Sequence, residues 1–532
     1  MRSLVAAVLL LSTSYCVFPA DSNAQSGRIP APAKNGMVVS SHHLASQIGM
    51  EVLRDGGNAI DATVAVALAE AVVLPSAGNI GGGGFIVYHG ADGTVTTFNF
   101  REKAPAAATE RMFLGEDGKI ADNSNHEGLL SVGVPGTVAG LALAHERLGS
   151  KKWADLVQPS VDLAKKGFPS TWAMQGFLRG LQQNIDRYPT TAAAFLKNGT
   201  DIYEPGELFK QPDLAASLDR IKKHGRDGFY KGKTARLLAE FMAANGGLIT
   251  EADLASYEAE ELQPIRGTYD EYDIYAMAPP SSGGVALVEM LNILEPYPLK
   301  ELGHNSANYL HLLTEAMRRA YADRAEFIGD PNFNPDMPVK RLISKEYADE
   351  LRKNISPYMA SVSDSSRFNR AYESEETTHF SVVDAEGNMV SMTYTLEYSY
   401  GSRITVPGAG FLLNNEMGDF NPVPGTTTTS GRIGTKPNLV EPGKRMLSSM
   451  TPTIVARDGK PVLAVGSPGG RTIINTVLQV VLNVVEHDMN VARAVEAPRI
   501  HHQWLPDRTS FEEYGFSIDT KRLYESFGHN IG

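Results

Sequence analysis

The sequence Glu376-Thr377-Thr378-His379-Phe380 lies where a polar stretch meets a predicted β-strand, and it decides how the whole chain is interpreted. The preceding residues, 356–376, include Ser-Asp-Ser-Ser and several glutamates, which indicates an exposed linker. Strand propensity alone accounts for two successive threonines, and His379 fits an ordinary packed residue. The alternative is that the linker is cut before Thr377, which makes this threonine an N-terminal residue.

A cut before Thr377 would create a catalytic group that the intact chain lacks. A threonine hydroxyl is a weak nucleophile until a base removes its proton. A free α-amine titrates near about pH 8 and can act as that base, whereas a peptide nitrogen cannot. Under this interpretation the pattern predicts a threonine nucleophile that matures by cleavage.

A glycine pair suggests where negative charge could be stabilised. Ser467-Pro468-Gly469-Gly470 precedes a helix predicted to begin near Thr472. Free amides at a helix N-terminus can hold an oxyanion, and each donor contributes a few kcal/mol to lowering the barrier. A tight turn from strand to helix also requires glycine, so this motif is ambiguous when taken alone.

Several polar residues are suited to an amino-acid head group. Arg101, at the end of a predicted strand, could pair with a carboxylate through both its terminal nitrogens. Ser448 and Ser449, predicted to open another strand, could donate to the same carboxylate, and Glu416 and Asp419 could bind an ammonium. Such residues are mostly solvated surface groups, so they matter only if the fold brings them together.

The hydrophobic pattern predicts helices around paired sheets, hence an α+β sandwich. The helices are expected at 42–54, 61–74, 137–148, 153–165, 307–327 and 472–485. The strands are expected at 85–88, 95–100, 379–383, 390–395, 410–413, 453–456 and 462–465.

Composition and charge exclude some classes of function. The chain has 532 residues with a formal net charge of -12, which argues against nucleic acid as a partner. Arg2, the apolar run 4–11 and Ser22-Asn23-Ala24 predict a signal peptide of residues 1–24, with no permanent membrane span. We therefore expect secretion, with the periplasm as the compartment.

The sole cysteine, Cys16, lies in the predicted signal peptide. Tyr15 before it fits poorly with a lipoprotein site. The mature chain is therefore expected to have no disulfide, thiol nucleophile or cysteine-based metal site.

Eight sequence blocks resemble the γ-glutamyltransferase family in content and order. They are Pro75-Ser-Ala-Gly-Asn-Ile-Gly-Gly-Gly-Gly-Phe85, Asn99-Phe-Arg-Glu-Lys-Ala-Pro105, Leu130-Ser-Val-Gly-Val-Pro-Gly-Thr-Val-Ala-Gly140, Pro279-Pro-Ser-Ser-Gly-Gly284, Thr377-Thr-His-Phe-Ser-Val-Val-Asp384, Leu412-Leu-Asn-Asn-Glu-Met-Gly-Asp-Phe420, Leu447-Ser-Ser-Met-Thr-Pro-Thr453 and Gly466-Ser-Pro-Gly-Gly-Arg471. The similarity runs from about residue 30 to the end of the chain.

The resemblance implies an N-terminal nucleophile hydrolase fold, which is a four-layer αββα sandwich matured by self-cleavage. The expected pieces are a large subunit, 25–376, and a small catalytic subunit, 377–532, which form a heterodimer. Family members usually continue beyond the position of Gly532, so we expect the sequence to be truncated there. The segment 421–445 occupies the place of the lid loop that covers the site in many members.

The resemblance also assigns roles to individual residues. Thr377 is the nucleophile, Thr395 orients it, and Gly469 and Gly470 form the oxyanion hole. The residues expected to bind the γ-glutamyl head group are Arg101, Ser448 and Ser449 for its carboxylate, and Glu416, Asp419 and Glu397 for its amine. Glu397 stands where some members have asparagine and others have glutamate.

The implied activity is glutathione hydrolysis and γ-glutamyl transfer to amino acid or peptide acceptors, with no metal or organic cofactor. A related acylase, such as a cephalosporin acylase or a γ-polyglutamate transferase, would share the nucleophile but have another pocket. A secreted binding protein that has lost cleavage is the alternative from a different class.

Overall fold

The computed structural model describes residues 29–363, 377–426, 428–429 and 433–532, so the predicted signal peptide 1–24 and most of the predicted linker lie outside the described residues. The strands are β1 Met37–Val39, β2 Gly83–His89, β3 Val95–Asn99, β4 Phe168–Pro169, β5 Leu208–Phe209, β6 Glu260–Leu262, β7 Ile265–Tyr269, β8 Tyr272–Ala276, β9 Thr378–Val383, β10 Met389–Thr395, β11 Thr453–Arg457, β12 Lys460–Val465, β13 Ile500–His501 and β14 Ser510–Phe511.

The helices fall mainly before residue 353. They are α1 His43–Arg54, α2 Ala59–Val73, α3 Thr137–Leu148, α4 Trp153–Lys166, α5 Trp172–Gln182, α6 Pro189–Phe195, α7 Pro212–His224, α8 Asp227–Tyr230, α9 Gly232–Ala244, α10 Glu251–Ser256, α11 Gly283–Leu294, α12 Leu299–Leu302, α13 Ala307–Phe327, α14 Val339–Leu342, α15 Lys345–Arg352, α16 Thr472–Val485, α17 Val491–Glu496 and α18 Ile518–Ser526. Short 3₁₀ helices span Leu129–Ser131, Glu416–Asp419 and Lys436–Asn438.

Two antiparallel sheets form the centre of the molecule. The six-stranded sheet has the order β1-β9-β10-β2-β3-β6, and the four-stranded sheet has the order β12-β11-β8-β7. β9 and β10 of the first sheet face β11 and β12 of the second, while α2 packs on the outside of the first and α11 and α16 on the outside of the second. The result is helix, sheet, sheet, helix, which confirms the predicted four-layer sandwich.

Alternating side chains of β2 explain why the sheets stack in this way. Phe85 and Val87 are buried in the core that includes the second sheet, whereas Ile86 between them is buried against the first helical layer. Successive side chains of a strand point to opposite faces, so a strand that is apolar at every position must be covered on both sides. Helix α2, whose fifteen residues are all buried, provides the cover on the helical side.

Of the thirteen helices and strands that the sequence predicted, twelve match an observed element within two residues at each end, but three local predictions were wrong. Residues 410–413 form only an isolated bridge between Leu412 and Thr405, because the segment folds back on its own preceding loop and does not join a sheet. Arg101 lies two residues after β3, and Ser448 and Ser449 lie before β11, where Ser448 bridges to Ser281.

Among the described residues, no helix combines the length and apolar character needed to cross a membrane.

Candidate active site

The hairpin of β9 and β10 places Thr377 beside Thr395. Thr378 pairs with Tyr394, and the two threonines lie one step beyond that pair. Their hydroxyl oxygens are 3.5 Å apart, and Thr395 Oγ1 accepts a hydrogen bond from the Glu397 amide at 2.9 Å. Thr377 is nearly buried, with 9% of its surface exposed. The hairpin therefore holds one hydroxyl in a fixed position next to another.

The glycine-rich turn before β2 holds the backbone of Thr395 at the end of β10. The side-chain amide of Asn79 donates to the carbonyl oxygen of Thr395 at 2.9 Å, and its oxygen accepts from the Gly82 amide. A Cβ atom at Gly82 would clash with the same carbonyl oxygen, so the close approach of the two backbones requires glycine. The glycine run before β2 thus fixes the end of β10.

A buried arginine lies at the centre of a group of carboxylates. Arg101 is 1% exposed, and its two terminal nitrogens form ion pairs with Glu416 and Asp419. Glu102 lies 3.6 Å away, and the carbonyl oxygen of Met446 accepts from Arg101 Nε at 3.3 Å. The guanidinium is thereby held in one orientation by groups on both sides.

These charges shift one another's ionisation. Burial alone would lower the pKa of Arg101, but Glu416, Asp419 and Glu102 together raise it, so the arginine remains charged. Burial raises the pKa of Glu416 well above its usual value, and the positive charge of Arg101 opposes that shift. Burial also raises the pKa of Glu102 to about 8 against the same opposing charge. The cluster therefore depends on Arg101 for its charge balance.

The two predicted serines are held by a residue that sequence reasoning did not identify. Arg324, on α13, donates to Ser449 Oγ at 2.8 Å and to Ser282 Oγ at 2.8 Å. Ser282 in turn donates to the carbonyl oxygen of Ser448 at 2.7 Å. The position of Arg324, at the buried end of a long helix and distant in sequence, gave no local signal of this role.

The glycine pair forms the turn into α16. Gly469 and Gly470 both have positive φ values, 122° and 53°. The Thr472 hydroxyl and amide both donate to the carbonyl oxygen of Gly469, at 2.7 and 3.0 Å, and a Cβ atom at Gly469 would collide with that hydroxyl. The turn therefore requires glycine for its backbone conformation, as one of the two sequence interpretations expects.

Glu397 has a strained backbone and a histidine neighbour. Its φ of 80° lies in the left-handed region, which is unusual for a residue with a side chain. His126 Nδ1 is 3.8 Å from Glu397 Oε2, and the His126 ring stacks on Tyr398 with centroids 4.8 Å apart. Burial lowers the pKa of His126 to about 4, so the ring is neutral at neutral pH.

The fold brings nine of the ten predicted site residues to one cleft. The lining residues are Arg101, Thr377, Thr395, Glu397, Glu416, Asp419, Ser448, Ser449, Met450, Gly470 and Ile473. Gly469, the tenth, is adjacent to the cleft but does not line it. The free volume is only about 20 Å³, which holds roughly one water molecule.

Part of segment 421–445 attaches to the rim of this cleft. Asn438 donates to the carbonyl oxygen of Asp419 at 2.6 Å and accepts from the Leu447 amide at 2.9 Å. Asn421 donates to the carbonyl oxygen of Thr435 at 2.7 Å. The described part of the segment is thus attached to Asp419, which lines the cleft, and to Leu447 next to Ser448.

Two other features are separate from the cleft. A cavity of about 850 Å³ is larger, but it lies in the first helical layer and none of the predicted site residues lines it. Ligand atoms of His311, Glu315 and His529 lie within 4.8 Å of one another. The two histidines share a 2.8 Å hydrogen bond and Glu315 is ion-paired with Arg319, so these atoms are already engaged.

Comparison with known proteins gives consistent results. The family model described as Gamma-glutamyltranspeptidase matches residues 45–532. The chain is 45% identical to the glutathione hydrolase proenzyme of Pseudomonas sp. (strain A14), covering 99% of this chain and 91% of the relative, and 45% identical to that of Escherichia coli (strain K12), covering 94% and 87%. The crystal structure of cephalosporin acylase from Bacillus halodurans superposes with a TM-score of 0.83 at 26% identity, covering 99% of this chain and 92% of the other. A match over nearly the full length, together with the shared fold, shows that the chain belongs to the gamma-glutamyltranspeptidase family.

Proposed function

We propose that this protein is a glutathione hydrolase and γ-glutamyltransferase that uses Thr377 as its nucleophile. The observation that carries the proposal is the convergence of Thr377 and Thr395 with Arg101 and its two carboxylates in one cleft. The names of the relatives, glutathione hydrolase proenzymes, support the substrate class and a precursor that is cut.

Cleavage before Thr377 supplies the base for the reaction. It converts the Thr377 nitrogen from an amide into an amine, which can accept the proton of the Thr377 hydroxyl. The two pieces, 25–376 and 377–532, would remain together as a heterodimer. β1 of the first piece pairs with β9 of the second, and β10 of the second pairs with β2 of the first, so both contribute to one sheet.

The acyl transfer then proceeds in two steps. The Thr377 oxygen attacks the γ-amide carbonyl carbon while the α-amine takes the hydroxyl proton, and the amides of Gly469 and Gly470 hold the oxyanion. The carbon–nitrogen bond breaks as the amine returns the proton to the departing amine, leaving a γ-glutamyl ester on Thr377. Water or an acceptor amine attacks this ester, again losing a proton to the α-amine, and the Thr377 hydroxyl is restored.

The charge pattern of the cleft suits an amino-acid head group. We assign the α-carboxylate to Arg101, Ser448 and Ser449, and the α-ammonium to Glu416, Asp419 and Glu397. In the substrate-free protein Arg101 already pairs with Glu416 and Asp419. A zwitterion gives Arg101 a new carboxylate partner and gives the released carboxylates an ammonium partner, so its binding leaves no buried charge without a partner. A neutral or singly charged ligand cannot do this.

A related acylase is the alternative that a specific observation supports, because the cephalosporin acylase from Bacillus halodurans shares the fold over 99% of this chain. The carboxylates around Arg101 favour an α-amino group on the acyl donor, which a glutaryl group lacks. Release of p-nitroaniline from γ-glutamyl-p-nitroanilide, compared with hydrolysis of a glutaryl-cephalosporin, separates the two activities. Activity only on the cephalosporin would overturn our proposal.

Self-cleavage has its own test, which also distinguishes the enzyme from a secreted binding protein that has lost cleavage. Wild type should give two bands on a denaturing gel, and mass spectrometry should place the cut between residues 376 and 377. Thr377→Ala should remain one inactive chain, while Thr377→Ser should cleave more slowly. A wild-type protein that stays as one band and still hydrolyses glutathione would contradict the mechanism.

Export and acceptor use complete the proposal. The sequence of residues 1–24 supports secretion, with the periplasm as the compartment. We expect amino acids or small peptides to be the acceptors, because the second step requires only an amine that can reach the ester on Thr377.

A further inference from the structure

A second pair of residues lies directly behind the two catalytic threonines. Thr378 follows Thr377, Tyr394 precedes Thr395, and these two are partners in the register of β9 and β10. Neighbouring side chains on a strand point to opposite faces. Thr377 and Thr395 therefore face the cleft, whereas Thr378 and Tyr394 face the first helical layer.

The helical layer presents a buried carboxyl group to this second pair. Glu70, on α2, has none of its surface exposed. Its Oε1 accepts from the Ser41 amide at 3.2 Å, and its Oε2 is 3.3 Å from the Tyr394 hydroxyl. The Ser41 hydroxyl is 3.1 Å from that of Thr378, which also interacts with the Glu70 carboxyl. Glu70 thus connects β9 and β10 on the face of the hairpin that packs against the first helical layer.

The geometry favours a protonated carboxyl. The Tyr394 oxygen is 3.0 Å from the carbonyl oxygen of Ala67 and 3.3 Å from Glu70 Oε2, but a phenol has only one hydrogen to donate. Both contacts are complete when Tyr394 donates to Ala67 and Glu70 donates to Tyr394. Consistent with this, burial is the largest influence on the pKa of Glu70 and raises it to about 8, opposed by the smaller effect of hydrogen bonds to neighbouring groups.

The groups that face Glu70 come from three elements. They are Ser41 before α1, Thr378 on β9 and Tyr394 on β10, and of these only Tyr394 titrates, with its pKa raised well above its usual value by burial. Among the described residues, no charged side chain contributes to the rise in the pKa of Glu70. Ionisation of Glu70 would therefore place an uncompensated negative charge between α2 and the β9–β10 hairpin.

We propose that Glu70 is a positioning residue for the nucleophile: its protonated carboxyl ties Thr378 and Tyr394 together and so holds Thr377 against Thr395. This inference rests on the proposed function, since it concerns the same nucleophile. Glu70 does not reach the cleft or the substrate. It acts through the backbone of the two strands, and its ionisation should loosen that arrangement.

The test compares Glu70→Gln with Glu70→Leu in the full-length, self-cleaved enzyme. Glutamine keeps the same shape and can donate to Tyr394 at every pH, so it should retain kcat near neutral pH. The wild-type kcat should fall above about pH 8, and that fall should be absent in Glu70→Gln, giving a difference on the order of tenfold by about pH 9.5. Leucine removes the hydrogen bonds and should lower kcat by roughly tenfold or more with KM little changed.

Glu289→Gln is the matched control. Glu289 is equally buried and has its pKa raised well above the usual value, but it lies on α11 in the opposite helical layer. Its replacement should leave the alkaline fall unchanged. If Glu70→Gln retains the same alkaline fall as wild type, the inference is overturned. This result does not depend on Glu70→Leu, which could fail to fold.

The outcomes also separate this inference from the proposed function. A wild-type enzyme with no activity on γ-glutamyl-p-nitroanilide would refute the function itself. An active wild type in which Glu70→Gln and Glu70→Leu lose kcat equally would refute only the role of Glu70, because a residue that works by donating one proton must be replaced well by glutamine.

Discussion

The hydroxyl oxygens of Thr377 and Thr395 lie 3.5 Å apart, although eighteen positions separate the two residues in the chain. The distance is at the outer limit of a hydrogen bond. Thr395 Oγ1 accepts from the Glu397 amide at 2.9 Å and, through its second lone pair, from the Thr377 hydroxyl. Thr395 can therefore orient the nucleophile without acting as its base.

Thr395→Val tests this orienting role. Valine has nearly the same shape but no hydroxyl, so it leaves the Glu397 amide and the Thr377 hydroxyl without this partner. We expect kcat to fall by about a hundredfold, as for a nucleophile misplaced by about 1 Å, and self-cleavage to slow in parallel. Thr395→Ser should keep most of both activities. Equal losses in the two variants, measured by steady-state kinetics and gel densitometry, would exclude a role for the hydroxyl.

Arg101→Lys tests recognition of the carboxylate. A lysine ammonium cannot satisfy Glu416 and Asp419 through two nitrogens held in one plane, nor can it present a planar fork to a ligand carboxylate. KM for γ-glutamyl-p-nitroanilide should rise by about ten- to a hundredfold, and the melting temperature should fall because the buried carboxylates are less well compensated. An unchanged KM would contradict our assignment of Arg101.

Arg324→Met tests a residue that donates hydrogen bonds to Ser449 and Ser282. Methionine fills similar space but leaves Ser449 and Ser282 without their donor. We expect KM to rise by about tenfold, which corresponds to loss of the charged hydrogen bond to Ser449, the one of the two serines that lines the cleft, with a smaller effect on kcat. Arg324→Lys should lie between methionine and wild type, since one donor can replace one of the two bonds. Steady-state kinetics on all three proteins measures this order.

The difference between Arg101 and Arg324 shows what the sequence could and could not predict. Arg101 lies in a block that resembles the family, so its place was predicted, and the cleft contains it. Arg324 lies in the last turn of an amphipathic helical pattern, where an arginine normally faces solvent. Arg324 reaches Ser449 only because α13 packs against the segment before β11. Glu70 was hidden for the same reason, within a helix that reads as continuously apolar.

The wrong strand at 410–413 has a comparable cause. Its apolar residues suit a strand, and they are buried in the structure. However, their backbone groups bond to the loop just before them, for example Leu413 to Ile404, so local pairing replaced sheet formation. Hydrophobic pattern predicts burial more reliably than it predicts the partner of a backbone hydrogen bond.

Glu70 should also make stability depend on pH. Its pKa is raised from 4.5 to about 8, so the folded chain retains a proton that the unfolded chain loses above about pH 4.5. The free energy of unfolding should therefore fall as the pH rises from about 4.5 to 8 and should then level off. Glu70→Gln lacks this proton, so its stability relative to wild type should increase across that window, by up to roughly 5 kcal/mol. Calorimetry of both proteins from pH 5 to 9 would contradict this if the two melting curves shifted in parallel.

Gly469→Ala tests the proposed oxyanion hole with a close control. At a φ of 122° an alanine is strained, and its Cβ atom would collide with the Thr472 hydroxyl, so the turn must rotate its amides away from the nucleophile. Loss of one oxyanion donor typically lowers kcat by about a hundred- to a thousandfold, and we expect a loss of that size with little change in KM. Gly459→Ala provides the control, because Gly459 also has a positive φ, 73°, but lies in the β11–β12 turn with open space around its Cβ position. If both variants lose a similar part of kcat, backbone strain explains the effect and the turn before α16 has no special role. A loss confined to Gly469→Ala means that the orientation of these amides matters to the reaction, as expected if charge develops on the substrate oxygen beside them.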